Sequence, residues 1–152
     1  MAKRILLAAL LGLAVTASPA AAIKNPYTAT GVCGAGYSVI DRHKLYDTHP
    51  DGRRIHLADM VLTYNTATGK NCAVTMKRFR VGKPDYMWIS IQTRRAGDGN
   101  SAQNLQYFAG PSYVFARQRC IVWHGGAELD VTYHHAHYTL YDAWRSKWSH
   151  CS

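Results

Sequence analysis

Alternation of apolar and polar residues dominates the chain after residue 22, and it predicts β-strands. The clearest pair is Ile55 to Tyr64 and Asn71 to Lys77, joined by a polar loop in which Gly69 can take the positive φ of a hairpin turn. Shorter runs between turn-forming residues are Tyr37 to Asp41, Tyr86 to Thr93, Leu105 to Ala109, Tyr113 to Ala116, Arg119 to Trp123 and Leu129 to Tyr141. Because helical periodicity is nearly absent, we predict an all-β fold, a compact antiparallel β-sandwich or barrel.

Three polar or aromatic stretches fall outside this alternation. Arg42 to Arg54 and Arg94 to Gln103 carry turn-forming and charged residues, and we expect both to be loops. Asp142 to His150 is expected to close the chain with a short C-terminal helical turn, which would place Trp144 and Trp148 four residues apart on one face.

The first 22 residues have a pattern of their own. Lys3 and Arg4 precede an uncharged run, Ile5 to Val15, and small residues follow up to Ala22. The run is shorter than the roughly 20 residues of a bilayer span. We therefore predict a secretory signal peptide at residues 1–22, a single secreted β domain at residues 23–152, and no transmembrane segment.

Composition and net charge indicate which kind of partner the protein binds. The chain has 152 residues, with 18 Lys and Arg against 9 Asp and Glu. Without the predicted signal peptide, 16 basic and 9 acidic residues remain, a net charge of +7. The hydrophobic content of 47% excludes an intrinsically disordered chain. Excess positive charge on an exported protein favours an anionic cell-wall or spore-surface polymer as its partner.

The four cysteines all follow the predicted signal peptide. An exported chain meets an oxidising environment, so we expect two disulfides, for which three pairings are possible. We favour the pairings that are local in sequence, Cys33 with Cys72 and Cys120 with Cys151. The chain has no Cys-x-x-Cys pair, and we expect neither a zinc site nor a cofactor.

A histidine cluster, His134 to His137, is the first motif that suggests chemistry. In a strand, His135 and His137 would share one face and could ligate a metal ion with a third donor. The neighbouring sequence offers no obvious third ligand, so we do not predict a metal site.

The same cluster supports an alternative from another class, a small basic secreted ribonuclease-like hydrolase. Glu128, the sole glutamate, would act as general base and a histidine such as His135 or His137 as general acid. Arg117 or Arg119 would hold the phosphate. Nucleic acid is a partner only under this alternative. Other catalytic signatures are absent, and we expect a protein that is not an enzyme.

Several short motifs occur in an order that points to a known family. They are Asn25-Pro26-Tyr27-Thr28, Cys33-Gly34-Ala35-Gly36-Tyr37, Leu62-Thr63-Tyr64-Asn65, Gly69-Lys70-Asn71-Cys72-Ala73-Val74-Thr75, Tyr107-Phe108-Ala109-Gly110-Pro111 and Cys120-Ile121-Val122-Trp123. Together they resemble the spore-associated protein A family of actinomycetes over about residues 25 to 126. The resemblance implies a small secreted protein found with spores and aerial growth, and it implies no catalytic residues. We therefore expect a disulfide-stabilised protein of the cell or spore surface that is binding or structural.

Overall fold

The computed structural model describes residues 23–151; the predicted signal peptide, residues 1–22, lies outside the described residues. One short helix precedes eight strands. The elements are α1 (Ala29–Cys33), β1 (Ser38–Thr48), β2 (Arg54–Asn65), β3 (Lys70–Lys77), β4 (Asp85–Gln92), β5 (Gly97–Leu105), β6 (Phe108–Phe115), β7 (Val122–Tyr133) and β8 (Ala136–Arg145).

The strands form two four-stranded antiparallel sheets that face each other. Sheet A has the order β1-β2-β3-β6, and sheet B has the order β5-β4-β7-β8. The fold is thus all-β, as the alternation predicts, and of the two architectures considered it is a sandwich. The predicted hairpin of β2 and β3 is confirmed, and Gly69 in its loop has a φ of 67°.

The main core lies between the two sheets. It is filled by aliphatic side chains and by Trp123, which is fully buried. A second apolar cluster lies on the opposite face of sheet A, where α1 and the chain around it cover Val61 and Val74. Consequently β3 is buried on both faces, which explains its run of buried positions.

At both edges of the sandwich, hydrogen bonds between side chains and backbone connect the edge strand of one sheet to the edge strand of the other. At one edge the Asp142 carboxylate on β8 accepts from Tyr46 N at 2.8 Å, and Asp47 on β1 accepts from Tyr141 N at 2.8 Å. At the other edge Asp98 on β5 accepts from Tyr113 N at 2.8 Å. These contacts satisfy edge donors that would otherwise be open to pairing with another chain.

Both predicted disulfides are formed. Cys33–Cys72 attaches the end of α1 to β3, and Cys120–Cys151 attaches the C-terminal segment to the chain before β7. Among the described residues no cysteine is free.

The expected C-terminal helical turn is wrong. The chain stays extended, because β8 continues to Arg145 in register with β7 and Ser149 exchanges two 2.9 Å backbone hydrogen bonds with Ile121. Trp144 therefore points into the sandwich, where it packs edge-on against Trp123 with 5.1 Å between ring centroids.

The two expected loops are also largely strands. Most of Arg42 to Arg54 belongs to β1 and the start of β2, and most of Arg94 to Gln103 belongs to β5. Both strands lie at sheet edges and have exposed polar side chains, so their sequences lack the apolar face on which the prediction depended. In the described residues no helix is long and apolar enough to cross a membrane.

Candidate functional site

The histidine cluster lies at the tip of the β7–β8 hairpin. His134 and His135 form its two-residue turn with φ of 46° and 65°, and both are exposed. His137 follows on β8 opposite Thr132 and is exposed too. The turn therefore interrupts the single alternating run expected from Leu129 to Tyr141, and His135 does not share a strand face with His137.

Glu128 lies on the same hairpin but far from its tip. It pairs with Tyr86 on one side and Tyr141 on the other. His137 is four residues further along the ladder, roughly 13 Å away at about 3.3 Å per residue. An acid and a base that act on one bond must both reach it, so this register does not bring Glu128 and the cluster together.

Neither arginine of the ribonuclease alternative forms a site with Glu128. The guanidinium of Arg117 donates to the carbonyls of Thr66 and Ala67, both at 3.1 Å, and so anchors the β2–β3 loop. Arg119 lies in the loop before β7, at the opposite end of that strand from the histidines. Within residues 23–151 no three His, Cys, Asp or Glu side chains are grouped to hold a metal ion.

Three arginines line one depression at this second end of the sandwich. We call Arg94, Arg95, Arg119 and Trp148 the arginine end. The first two lie in the β4–β5 turn, the third lies in the loop before β7, and Trp148 lies in the C-terminal segment. The three arginines and Cys120 surround a depression of about 290 Å³.

The β4–β5 turn holds its two arginines rigidly. The buried Thr93 accepts hydrogen bonds at its hydroxyl from the backbone N–H groups of Arg95, at 3.2 Å, and Ala96, at 3.1 Å. Thr93 N donates in turn to Ala96 O at 2.7 Å. A side chain that substitutes for a backbone partner in this way fixes a tight turn. Both arginine side chains therefore project from a fixed backbone.

The C-terminal segment lies beside the arginines, and its Trp148 lines a neighbouring depression with Arg94 and Arg95. The Cys120–Cys151 disulfide and the Ile121–Ser149 bridge hold this segment beside the loop that carries Arg119. Trp148, 42% exposed, places its ring 5.4 Å from the guanidinium carbon of Arg94. The cation–π contact orients this arginine without neutralising its charge.

The arginine end is electrostatically unpaired. None of its arginines forms an ion pair with another described residue, and no acidic side chain lines the depression. Like charges held together on rigid backbone repel one another, and a bound anion relieves that repulsion. Guanidinium groups match the fork geometry of phosphate, sulfate and carboxylate. The arrangement therefore suits binding of an anion and includes no general acid or base.

Comparison with known proteins adds one clear relative. The chain is 38% identical over 117 residues to spore-associated protein A of Streptomyces coelicolor, a match that covers 75% of this chain and 70% of that protein. The chain belongs to the spore-associated protein A family. The resemblance inferred from the short motifs is thereby confirmed. No family model matches the chain, and no solved structure matches it either.

The comparison assigns no role to any residue of this chain, so the site is defined by geometry alone. Part of the arginine end can be predicted from the sequence. The favoured pairing of Cys120 with Cys151 already places Arg119 near Trp148, since both are close to those cysteines. The approach of Arg94 and Arg95 depends on the packing of β4 beside β7, which no local pattern indicates.

Proposed function

We propose that this member of the spore-associated protein A family is an exported, non-catalytic protein of the cell or spore surface that binds an anionic polymer through the arginine end. The observation that carries the proposal is that three arginines without an ion-pair partner among the described residues line one depression. The name of the Streptomyces coelicolor relative, which associates that protein with spores, supports the location.

The cysteines also support an extracellular location. All four cysteines are paired in two disulfides. Disulfides persist in oxidising compartments and are rare in the cytosol. The predicted signal peptide at residues 1–22 supports the same location, because it would direct export of the chain.

The distribution of charge supports an anionic partner. Each of the eight aspartates already accepts a hydrogen bond from within the fold; the residues are Asp41, Asp47, Asp51, Asp59, Asp85, Asp98, Asp130 and Asp142. The carboxylates thus hold neighbouring parts of the fold together, and the basic residues outnumber the acidic ones. At the arginine end that surplus is concentrated on loops whose fixed geometry reduces the entropy lost on binding.

The test is co-sedimentation of purified protein with isolated cell walls, with soluble polyphosphate as competitor, over a series of salt concentrations. The triple variant Arg94→Gln, Arg95→Gln, Arg119→Gln should bind roughly tenfold or more weakly at low salt, because each exposed ion pair contributes up to about 1 kcal/mol. Binding of the unaltered protein should also weaken as ionic strength rises.

The matched control removes the same charge elsewhere. Lys24, Arg54 and Lys83 are exposed and lie toward the other end of the sandwich. Asn25 bonds there to the end of β3, β2 begins there beside the β7–β8 hairpin, and Lys83 precedes β4. Triple substitution of Lys24, Arg54 and Lys83 by Gln should reduce binding far less than the arginine triple variant. Equal losses in the two variants would show that only net charge matters, and failure of the unaltered protein to bind at low salt would overturn the proposal.

A further inference from the structure

A second surface, on the outer face of sheet B, has a different chemistry. Three aromatic side chains, Tyr86 and Trp88 on β4 and Tyr141 on β8, line a groove of about 440 Å³ with Glu128 beside them. We call this the aromatic groove. The β-ladder explains the arrangement, since Glu128 lies between Tyr86 and Tyr141 in register while Trp88 pairs with Gly126.

Gly126 makes room for the indole of Trp88. A Cβ at Gly126 would lie 2.1 Å from Cη2 and 2.2 Å from Cζ2 of that ring, so any side chain there would displace it. The indole therefore rests on the backbone of β7. The rings of Tyr86 and Tyr141 lie within 28° and 27° of its plane, with centroids 5.4 Å and 6.0 Å away. The result is a set of nearly parallel aromatic rings held against the sheet.

Hydrogen-bonding groups surround these rings. The exposed carboxylate of Glu128 has no hydrogen-bond or ion-pair partner among the described residues. The side chain of Asn100 does not serve the groove: Asn100 pairs with the inward-facing Ile89, and its side-chain oxygen accepts from Gly110 N of β6 at 3.0 Å. Ser101 adds a hydroxyl to the lining of the groove.

The charge of the groove is low at neutral pH. His124 lies at its far end, where burial and then the nearby Arg145 hold the pKa of the imidazole below its usual range. The imidazole is therefore neutral near pH 7, and the carboxylate of Glu128 is the main charge in the groove. Between Tyr86 and Tyr141 this carboxylate repels a negatively charged group, in contrast to the arginine end.

We infer that the aromatic groove binds a sugar ring of an uncharged glycan. A pyranose presents an apolar C–H face that packs on aromatic rings, and its edge carries hydroxyls that donate to a carboxylate and accept from a serine hydroxyl. The groove offers both surfaces, and its single carboxylate selects against anionic sugars. This site goes beyond the anion-binding function proposed above and rests on different residues.

The inference can be tested by affinity electrophoresis in gels that contain a soluble neutral glycan, with dextran, a soluble β-1,3-glucan and chitin oligosaccharides as the panel. At least one should retard the protein. The Tyr141→Ala variant should lower the affinity roughly five- to tenfold, the order of effect expected for an aromatic contact. Trp88→Ala should abolish retardation, and Tyr141, being 53% exposed, provides the variant that leaves folding intact.

The chain offers a close control in Tyr138→Ala. Tyr138 is also an exposed tyrosine of β8, at 42%, but it does not line the groove. This variant should migrate like the unaltered protein. Equal losses in the Tyr138 and Tyr141 variants would overturn the inference, as would absence of retardation by every glycan or binding of only a proline-rich peptide.

The salt dependence of binding distinguishes this site from the arginine end. Glycan retardation should persist at high ionic strength and in the triple arginine variant, because neither affects contacts with an uncharged ring. Loss of glycan binding in that variant would contradict a separate groove. Conversely, the groove can fail this test while the arginine end still binds anions, so the two proposals fall independently.

Discussion

The most demanding prediction concerns a buried ion pair that bridges the two sheets. The side chains of Lys77 at the end of β3 and Asp85 at the start of β4 are both fully buried and bonded to each other. The Lys77 ammonium also donates to the backbone carbonyls of Lys83 and Leu105. All its donors are thereby satisfied, but among residues 23–151 Asp85 is the only carboxylate that contacts it.

Asp85→Asn leaves that ammonium in the interior without a counter-charge. Removing one partner of a buried pair costs about 3–5 kcal/mol, because the remaining charge stays desolvated. Burial already lowers the pKa of Lys77, an effect that Asp85 opposes. The nearby Arg80 also lowers the pKa of Lys77, so the lone ammonium would face repulsion as well.

The reverse substitution, Lys77→Met, should cost less. Asp85 would keep the guanidinium of Arg80, whose Nε lies 3.2 Å from both carboxylate oxygens, and the backbone N–H of Asp130 at 3.2 Å. The carboxylate is therefore still paired, and methionine restores much of the lost packing. We expect the unfolding free energy to fall in the order unaltered protein, Lys77→Met, Asp85→Asn.

The measurement is urea unfolding with both disulfides intact, followed by tryptophan fluorescence. A loss of about 3–5 kcal/mol is a large part of the 5–15 kcal/mol typical of a domain, so the midpoint for Asp85→Asn should shift clearly. Asp51→Asn serves as the control, because its pair with Arg53 is exposed and the midpoint should barely move. A loss under about 1 kcal/mol for Asp85→Asn, or a larger loss for Lys77→Met, would refute the reasoning.

Two further predictions concern pH and the C-terminal disulfide. Because the pKa of His124 is lower in the folded protein than its ordinary value of 6.5, the unfolded chain binds more protons, and the unfolding free energy should fall as pH drops below about 6.5. His124→Gln should make that fall shallower in urea titrations at several pH values. Replacing Cys120 and Cys151 by Ser releases a separation of 31 residues and should cost about 3.7 kcal/mol. It should also weaken polyphosphate binding, whereas removal of the other disulfide should leave that binding intact.

The parts of the fold that the sequence predicts well are those set by neighbouring residues. The hairpin of β2 and β3 is one, because its alternation and the glycine of its loop lie within a short stretch of chain. Strand β5 is the opposite case. Its residues Gly97 to Leu105 have no apolar face, and the strand forms because β4 offers an unpaired edge and Asp98 and Asn100 bond to β6. Edge pairing of this kind is a property of the assembled sandwich.

The candidate sites also combine features that neighbouring residues determine with features that only the assembled sandwich determines. The aromatic face of β4 is visible in the sequence, since Tyr86 and Trp88 alternate with buried Met87 and Ile89. What makes it a groove is Gly126 on the neighbouring strand, whose register cannot be derived from either strand alone. The prediction that His135 and His137 share one strand face is wrong for a related reason. A two-residue turn interrupts the alternation on which that prediction depended.

The two proposed sites are connected by strand β4, and their separation constrains the ligand. From Trp88 the outward-facing residues of β4 continue through Ser90 and Gln92 to the turn that carries Arg94. Six residues of strand span roughly 20 Å, so neither a single sugar nor a single phosphate can contact both sites. A polymer with neutral rings and anionic groups can contact both, and contact at one site raises the effective concentration at the other. Weak binding at each site is therefore compatible with firm attachment to a polymeric surface, and loss of either site should reduce retention on walls more than it reduces binding of small fragments.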